Sequence, residues 1–366
     1  MTLAFVVVTY QGERYIGPLL DTLRASTDLR DTVVVVVDNA STDGTLDVLR
    51  AAERTWADGP PAASDGAGGA AGALRVLRQD RNTGFSGGCN AGIAEARRLG
   101  ARYVMLLNQD LELAPGWLPP LLAAMEARPD VAAAQPVIVL HAEPALLNTG
   151  GNALHFCGFG FCDRYRAPAA EVFPDPKEVR SVPYASGAAL LLRMEALERV
   201  GGFDERFFLY HEECDLQIRL RQLGYDCVAV AASRVAHKYD ASFSPRKMTY
   251  LERNRWYVLI KDWPLARLLV AAPALAGAEL AVLALATRGG WLRGKLGTYR
   301  DISRALPGLL RSRREVQARR VAAANDGDHL TGEIRFEGFD HPIITRFANP
   351  LLARYWSAAR RLLRVP

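Results

Sequence analysis

Residues able to do chemistry gather at a few places in the sequence. "YVMLLNQDLEL" (Tyr103–Leu113) is an apolar run that ends abruptly in Asn108-Gln109-Asp110. Carboxylates are rarely buried without a partner. Asp110 therefore either caps a strand and faces water or stands at the carboxyl end of a central strand, where open α/β sheets place their ligands. "TVVVVVDNAS" (Thr32–Ser41) closes in the same way on Asp38. "FFLYHEECDLQIRLRQLGY" sets Glu212, Glu213 and Asp215 at the opening of a helix, where carboxylates complement the dipole. Such crowding behind an aromatic run also suits a general base whose pKa is raised by like-charged neighbours. His237 closes "DCVAVAASRVAHK" and, taken alone, reads as structural.

These groups need a frame. "LAFVVVTY" (Leu3–Tyr10) and the run from Thr32 are continuous and β-branched, as in parallel strands buried on both faces. Tyr15 to Ala25 carries apolar residues at helical spacing, which completes a strand–helix–strand unit. A helix follows, with Ser41 or Asp43 as N-cap candidates. "ADGPPAASDGAGGAAGA" (Ala57–Ala73) reads as a flexible insertion. A strand at Leu74–Leu77, a helix near Gly88–Leu99 and a strand at Arg102–Leu107 complete the pattern of a doubly wound parallel sheet. Beyond Leu121 the pattern loosens into strand-like "VAAAQPVIVL", an irregular stretch from Asn148 to Arg166, and then strand, helix, helix and strand ending at His237.

Asp38 alone would also suit a dinucleotide fold, which makes a dehydrogenase the first rival. That fold needs its glycines in the first strand–helix turn, where "TYQGERY" offers only Gly12. The glycines follow the third strand instead, in "RNTGFSGGCNAGI" (Arg81–Ile93). A loop of this kind permits close backbone approach and opens a helix whose free N–H groups attract anions. Thr9, Asp38, Gly84 and Asp110 then fall at the carboxyl ends of successive strands, along one edge of one sheet.

The 366 residues allow one large α/β domain plus an appendage, and a hydrophobic content of 49% is that of a globular chain. Five cysteines without a CxxC pair argue against a zinc site or a disulfide scaffold and suit a reducing compartment. "MTLAFVVVTY" reads as a first strand and not as a signal peptide. Past Trp263 comes "LARLLVAAPALAGAELAVLALATRGGW", near the ~20 residues that span a bilayer but interrupted by Arg267, Pro273 and Glu279. An in-plane or shallowly embedded helical pair fits better, and the basic residues from Arg288 to Arg320, opposed only by Asp301 and Glu315, support an anionic membrane surface.

"VVVTYQGERYIGPLLDTLRAS", "VVVVVDNASTDGT", "RNTGFSGGCNAG", "LLNQDLEL", "GGFDERFFLYHEECDL" and "HKYDAS" occur in the order found in family 2 glycosyltransferases. The set resembles bacterial rhamnosyltransferases over Leu3 to Trp263, and the tail resembles theirs. The resemblance implies a GT-A fold at 1–263, divided into a nucleotide-binding half (1–120) and an acceptor and catalytic half (121–263). A helical, basic, membrane-associating region (264–366) follows. It further implies a nucleotide-diphospho-sugar donor, a divalent metal (Mn2+ or Mg2+) and inversion at the anomeric carbon. By position, Thr9 and Tyr10 would line the nucleobase pocket and Asp38 would accept from the pyrimidine. Asn39, Asn82, Gly84 and Asn108 would lie along the nucleotide sugar. "NQD" stands where the family has DXD and departs from it at Asn108. Asp110 and His237 would hold the metal, and Glu213 would be the base.

Three classes of function are then in contention. The first is an inverting glycosyltransferase, with dTDP-rhamnose as donor, a saccharide or polyprenyl-linked acceptor, and the cytoplasmic face of the plasma membrane as its place. The second is a non-catalytic nucleotide-sugar-binding protein on the same fold. The third is a nucleic-acid-binding protein using the basic tail, disfavoured because the tail lacks interleaved aromatics and follows an apolar segment.

Overall fold

The computed structural model describes residues 2–57, 73–321, 329–336, 342 and 344–363. In the first half β1 (Leu3–Thr9), α1 (Ile16–Ser26), β2 (Thr32–Asp38), α2 (Thr45–Ala57), β3 (Ala73–Arg78), α3 (Gly84–Arg98) and β4 (Tyr103–Asn108) alternate as expected. Residues 58–72 of the insertion lie outside the described residues; its end residues, Ala57 and Ala73, belong to α2 and β3. Neither Ser41 nor Asp43 directly precedes α2, but Asp43 Oδ1 accepts from the N–H of Thr45, its first residue, while the Ser41 hydroxyl accepts from the Gln11 N–H. The expected helix near Gly88 begins at Gly84, so the glycine loop is itself the first turn of α3.

The second half holds β5 (Leu111–Leu113), α4 (Leu118–Ala127) and β6 (Val131–Leu140). The stretch read as irregular folds into β7 (Leu147–Thr149), β8 (Asn152–His155) and β9 (Gly160–Cys162). Then come the single turn α5 (Ala169–Val172), β10 (Val179–Ser181), β11 (Ala189–Arg193), α6 (Met194–Val200), α7 (Glu212–Gln222) and β12 (Asp226–His237). Helices α8 (Pro245–Asp262), α9 (Leu265–Arg288) and α10 (Leu292–Arg319), the short β13 (Leu330–Thr331) and α11 (Asn349–Leu363) finish the chain.

The main sheet runs β10-β12-β6-β11-β4-β1-β2-β3. β1 to β4 are mutually parallel, while β11 lies antiparallel between β4 and β6. The sheet is therefore mixed, the parallel block being the half that the β-branched runs predict. Its two faces bury alternate residues: Val6, Val35 and Leu106 pack under α3, and Phe5, Val36 and Met105 under α1 and α4. Burial on both faces is why these strands show no polar alternation.

A third apolar cluster joins Phe207, Cys214 and Tyr257 to Leu275 of α9, Leu309 of α10, Leu330 of β13 and Trp356 of α11. The segment after Trp263 thus shares a core with residues of 121–263. α9 buries Arg267, Ala271, Leu275, Val282 and Ala286 along one stripe. Two of the three interruptions of its apolar run are explained by that stripe. Arg267 is buried, and Glu279 pairs with Arg255 at 3.0 Å and with Lys295 at 2.6 Å. The basic segment is not a free tail either. Lys295 is fully buried between Glu252 and Glu279, and Arg313 donates to the carbonyl of Ile260 at 2.7 Å.

Candidate active site

Parallel register brings the first group together. Thr9 pairs with Asp38 across β1 and β2, and Val8 pairs with Asn108 across β1 and β4. The parallel register sets these strand ends level, and Thr9 and Asp38 are still buried there. Tyr10 is exposed beyond the end of β1, while Asp38 is buried with Oδ1 accepting from the Ser41 N–H at 3.3 Å. Thr9 is fully buried, and its hydroxyl donates to Gln109 Oε1 at 2.5 Å. Gln109 Oε1 also accepts from the Tyr10 N–H at 3.2 Å. Thr9 and the Tyr10 N–H therefore hold Gln109 across the ends of β1 and β4. Sequence reasoning missed it; the only signal was its place inside "NQD". Gly12 has to be glycine here, because a Cβ would lie 2.2 Å from Thr9 Oγ1 and 2.4 Å from Gln109 Oε1.

Asn39 and Asn82 form a staple for the glycine loop. Asn39 Nδ2 donates to Asn82 Oδ1 and to the Gly84 carbonyl, its Oδ1 accepts from the Thr83 N–H, and Asn82 Oδ1 accepts from the Gly84 N–H at 2.8 Å. The expectation of free N–H groups at this helix start needs correcting. The Phe85 and Ser86 N–H groups both donate to the Phe208 carbonyl, at 2.7 and 3.4 Å. Gly84, at φ +75, lies so close to that carbonyl that a Cβ would come within 2.2 Å of it. The glycine thus serves the approach of a second protein segment.

Asp110 and His237 meet because β5 pairs antiparallel with the end of β12, setting Leu111 opposite His237. The Lys238 N–H donates to the Asp110 carbonyl at 3.1 Å and closes the corner. His237 Nδ1 donates to Asn148 Oδ1 at 2.8 Å, which turns Nε2 toward Asp110 Oδ1 at 3.2 Å. That oxygen is buried and has no hydrogen-bond donor among the described residues. Two adjacent ligands of an octahedral cation, each at about 2.1 Å, lie roughly 3 Å apart. An imidazole nitrogen and an orphaned carboxylate oxygen at this spacing fit a divalent cation. Asn148, from the stretch read as irregular, fixes the imidazole tautomer. Among the described residues there is no group of three or more His, Cys, Asp or Glu side chains for a metal, so water and phosphate oxygens would complete such a site.

The acidic group at α7 divides. Asp215 is fully buried, bridged by Arg219 at 2.7 Å and Lys261 at 2.5 Å, and belongs to the scaffold. Glu212 and Glu213 each keep one buried oxygen without a donor among the described residues. Burial pushes Glu213 up to about 7, against backbone hydrogen bonds that lower it. Glu212 is raised further, first by burial and then by the charge of Glu213. Crowding by like charges was the expected cause for Glu213; desolvation is the principal one, because Asp215 already has its cations. The loop that delivers the pair is strained. Phe208, Tyr210 and His211 all have left-handed backbones, at φ 64, 70 and 67, a conformation non-glycine residues adopt at functional sites.

Residues 4–201 match the family model described as Glycosyl transferase family 2. The chain belongs to that family. The N-acetylglucosaminyl-diphospho-decaprenol L-rhamnosyltransferase of Mycobacterium tuberculosis is 29% identical over 71% of this chain and 84% of its own length. The O-antigen biosynthesis protein RfbC of Myxococcus xanthus is 30% identical over 46% of this chain and 13% of its own. The fold is also that of a mannosyltransferase from Pyrobaculum calidifontis solved with GDP-Man and Mn2+ (TM-score 0.51, 18% identity, 87% of this chain and 85% of that one). GalNAc-T7 solved with UDP, GalNAc and Mn2+ is similar too, at TM-score 0.53 and 16% identity, over 71% of this chain and 47% of that one. The GT-A architecture and glycosyl transfer implied by the sequence motifs are thereby borne out.

Proposed function

We propose that this glycosyltransferase is an inverting, divalent-metal-dependent enzyme that moves a sugar from a nucleoside diphosphate to a saccharide or polyprenyl-linked saccharide at a membrane. Rhamnose from dTDP-rhamnose is the donor we favour, on the likeness to the mycobacterial rhamnosyltransferase. The observation that carries the reading is the Asp110 Oδ1–His237 Nε2 pair at the edge that also holds Tyr10 and Asp38. A cation held by Asp110 and His237 would neutralise charge on the leaving diphosphate. Tyr10 and Asp38 would take the base, through ring contact and a hydrogen bond. Glu213 would accept the acceptor's hydroxyl proton while that oxygen bonds to the anomeric carbon and the bond to the diphosphate breaks, its electron pair leaving with the nucleotide. A base near 7 is matched to neutral pH, which a binding-only protein would not need.

The membrane part of the proposal rests on α9. Its inward stripe runs the length of the helix and packs on protein, while Leu265, Leu269, Leu280 and Leu285 face out. α9 is long and apolar enough to cross a bilayer, but crossing would carry the packed domain with it. Lying in the plane of the cytoplasmic leaflet is the arrangement that fits, with exposed arginines such as Arg293, Arg300 and Arg304 on the neighbouring helix to meet anionic headgroups. Calorimetry against UDP, dTDP, GDP and their sugars, with and without Mn2+, tests the site. Binding of dTDP or UDP that needs Mn2+ is expected; metal-independent binding of equal strength rejects the roles of Asp110 and His237. Leu269→Glu with Leu280→Glu should move the protein to the soluble fraction.

A further inference from the structure

The strained loop before α7 is held by one side chain. Asn254 of α8 is fully buried, and its Nδ2 lies 2.9, 2.8 and 2.6 Å from the carbonyl oxygens of Phe207, Leu209 and Tyr210. Its Oδ1 accepts from Arg253 Nε at 2.9 Å, which fixes the orientation of the amide. Arg253 Nη2 adds a bond to the Phe207 carbonyl at 2.7 Å. The carbonyl of Phe208 turns the other way, to the start of α3. Four successive carbonyls are thus tied down, on both sides, while three of the residues concerned or adjoining are left-handed. Backbone in that region persists only where its surroundings over-determine it.

We propose that Asn254 is the positioning residue of the catalytic loop, an amide clamp that holds 207–211 in its strained form and so keeps Glu213 desolvated and aimed. This rests on Glu213 being the base. The clamp stands on a firm post. On the same turn of α8, Glu252 and Arg255 pair with each other at 2.9 Å, Glu252 with Lys295 at 2.7 Å, and Arg255 with Glu279 at 3.0 Å. Residues 252 and 255 therefore fasten α8 to α9 and α10, and residues 253 and 254 fasten the loop to α8. Loss of the clamp lets the loop relax toward ordinary backbone, admits water to the carboxylate and moves it off the acceptor. A displacement near 1 Å is enough to cost roughly 10²-fold in rate.

The test uses the full chain with Asn254→Ala, Arg253→Met and Glu213→Gln, read as nucleoside diphosphate release from dTDP-rhamnose or from the UDP-sugar that the binding panel selects. Asn254→Ala should lose roughly 10²-fold in turnover while dTDP and UDP affinity with Mn2+ stays within about twofold, since Tyr10, Asp38, Asp110 and His237, the residues proposed to hold those ligands, lie at or just beyond the ends of β1, β2, β4 and β12 and not on the loop. The midpoint of its pH–rate profile should fall from about 7 by about one unit, as water returns to Glu213. Arg253→Met, which removes the bonds to Asn254 Oδ1 and the Phe207 carbonyl but keeps the amide of Asn254, should shift both readouts the same way by less. An unshifted pH midpoint, or equal losses of nucleotide affinity and turnover, overturns the clamp. So does normal turnover in Asn254→Ala beside an inactive Glu213→Gln. Retained turnover in Glu213→Gln itself removes the base assignment, and the clamp as stated falls with it. Should Asn254→Ala fail to fold, Arg253→Met decides by its pH midpoint.

Discussion

The two halves of the chain use polar side chains in opposite ways. In residues 1–120, polar groups stand at or just beyond the ends of parallel strands, Tyr10 exposed and Asp38 buried. In the second half they are buried and paired: Asp204 with Arg206 and Lys261, Asp215 with Arg219 and Lys261, Glu252 with Arg255 and Lys295. Against that background Glu212 and Glu213 stand out, since among the described residues no cation pairs with either one. Charge at a strand end points to a ligand. Inside the helical half, charge is architecture unless its counter-ion is missing.

The most severe way to break this contrast is to remove an unbalanced acid. Glu213→Gln keeps size and hydrogen-bonding reach but accepts no proton, so turnover at saturating donor and acceptor should fall ~10²–10⁴-fold with nucleotide affinity unchanged. Glu212→Gln should lose less. A larger loss in Glu212→Gln would move the base by one residue. Removing a balanced charge should act on folding instead. Lys295→Met leaves Glu252 and Glu279 with Arg255 alone, and breaking a buried pair in this way costs about 3–5 kcal/mol. Chemical denaturation reads it; an unchanged midpoint would mean that α10 does not share a core with α8 and α9.

The same contrast decides what the sequence discloses. The parallel block, Asp38, Asp110 and the glycine loop are readable because strand ends follow from the switch between apolar and polar residues, which is local. The purpose of the glycine loop is not readable. Gly84 answers to the carbonyl of Phe208, far along the chain, and no local pattern shows that. Asn148, Asn254 and Gln109 were invisible for the same reason, as each acts through a partner brought by tertiary folding. The basic segment misled in the other direction. Composition counts Lys295 among the free cations, whereas packing makes it a core residue.

A third measurement separates function from folding at one residue. The folded-state pKa of Glu213, about 7, stands above its ordinary value of 4.5. A raised carboxyl contributes fully below the unfolded value, and that contribution is lost as pH rises through the folded one. Wild type and Glu213→Gln should therefore be equally stable near pH 4. By pH 8 the variant should be the more stable, by up to about 3 kcal/mol. An inactive enzyme that is also the sturdier one would mark Glu213 as an acid retained for chemistry. Equal stability at both pH values would mean that Glu213 is hydrated in solution.

The smallest expected effect belongs to the strand-end half, at Asp38. Its carboxylate is buried at the end of β2, and among its own chain's donors its Oδ1 takes the Ser41 N–H, a long bond at 3.3 Å. A ligand's N–H is the stronger partner such an oxygen lacks, and a pyrimidine supplies one. Asp38→Ala should weaken dTDP or UDP binding by about 1.5–3 kcal/mol, the range for a hydrogen bond to a charged group. Asp38→Asn keeps an acceptor oxygen and loses the charge, so its loss should be smaller. Thermal stability should change little in Asp38→Asn, because no buried counter-ion depends on this acid. Calorimetry with dTDP, UDP and GDP in parallel gives the decisive pattern. Affinity for dTDP and UDP should fall in the variants while that for GDP stays the same; a uniform fall for all three would assign Asp38 to the shape of the site and not to recognition of the base.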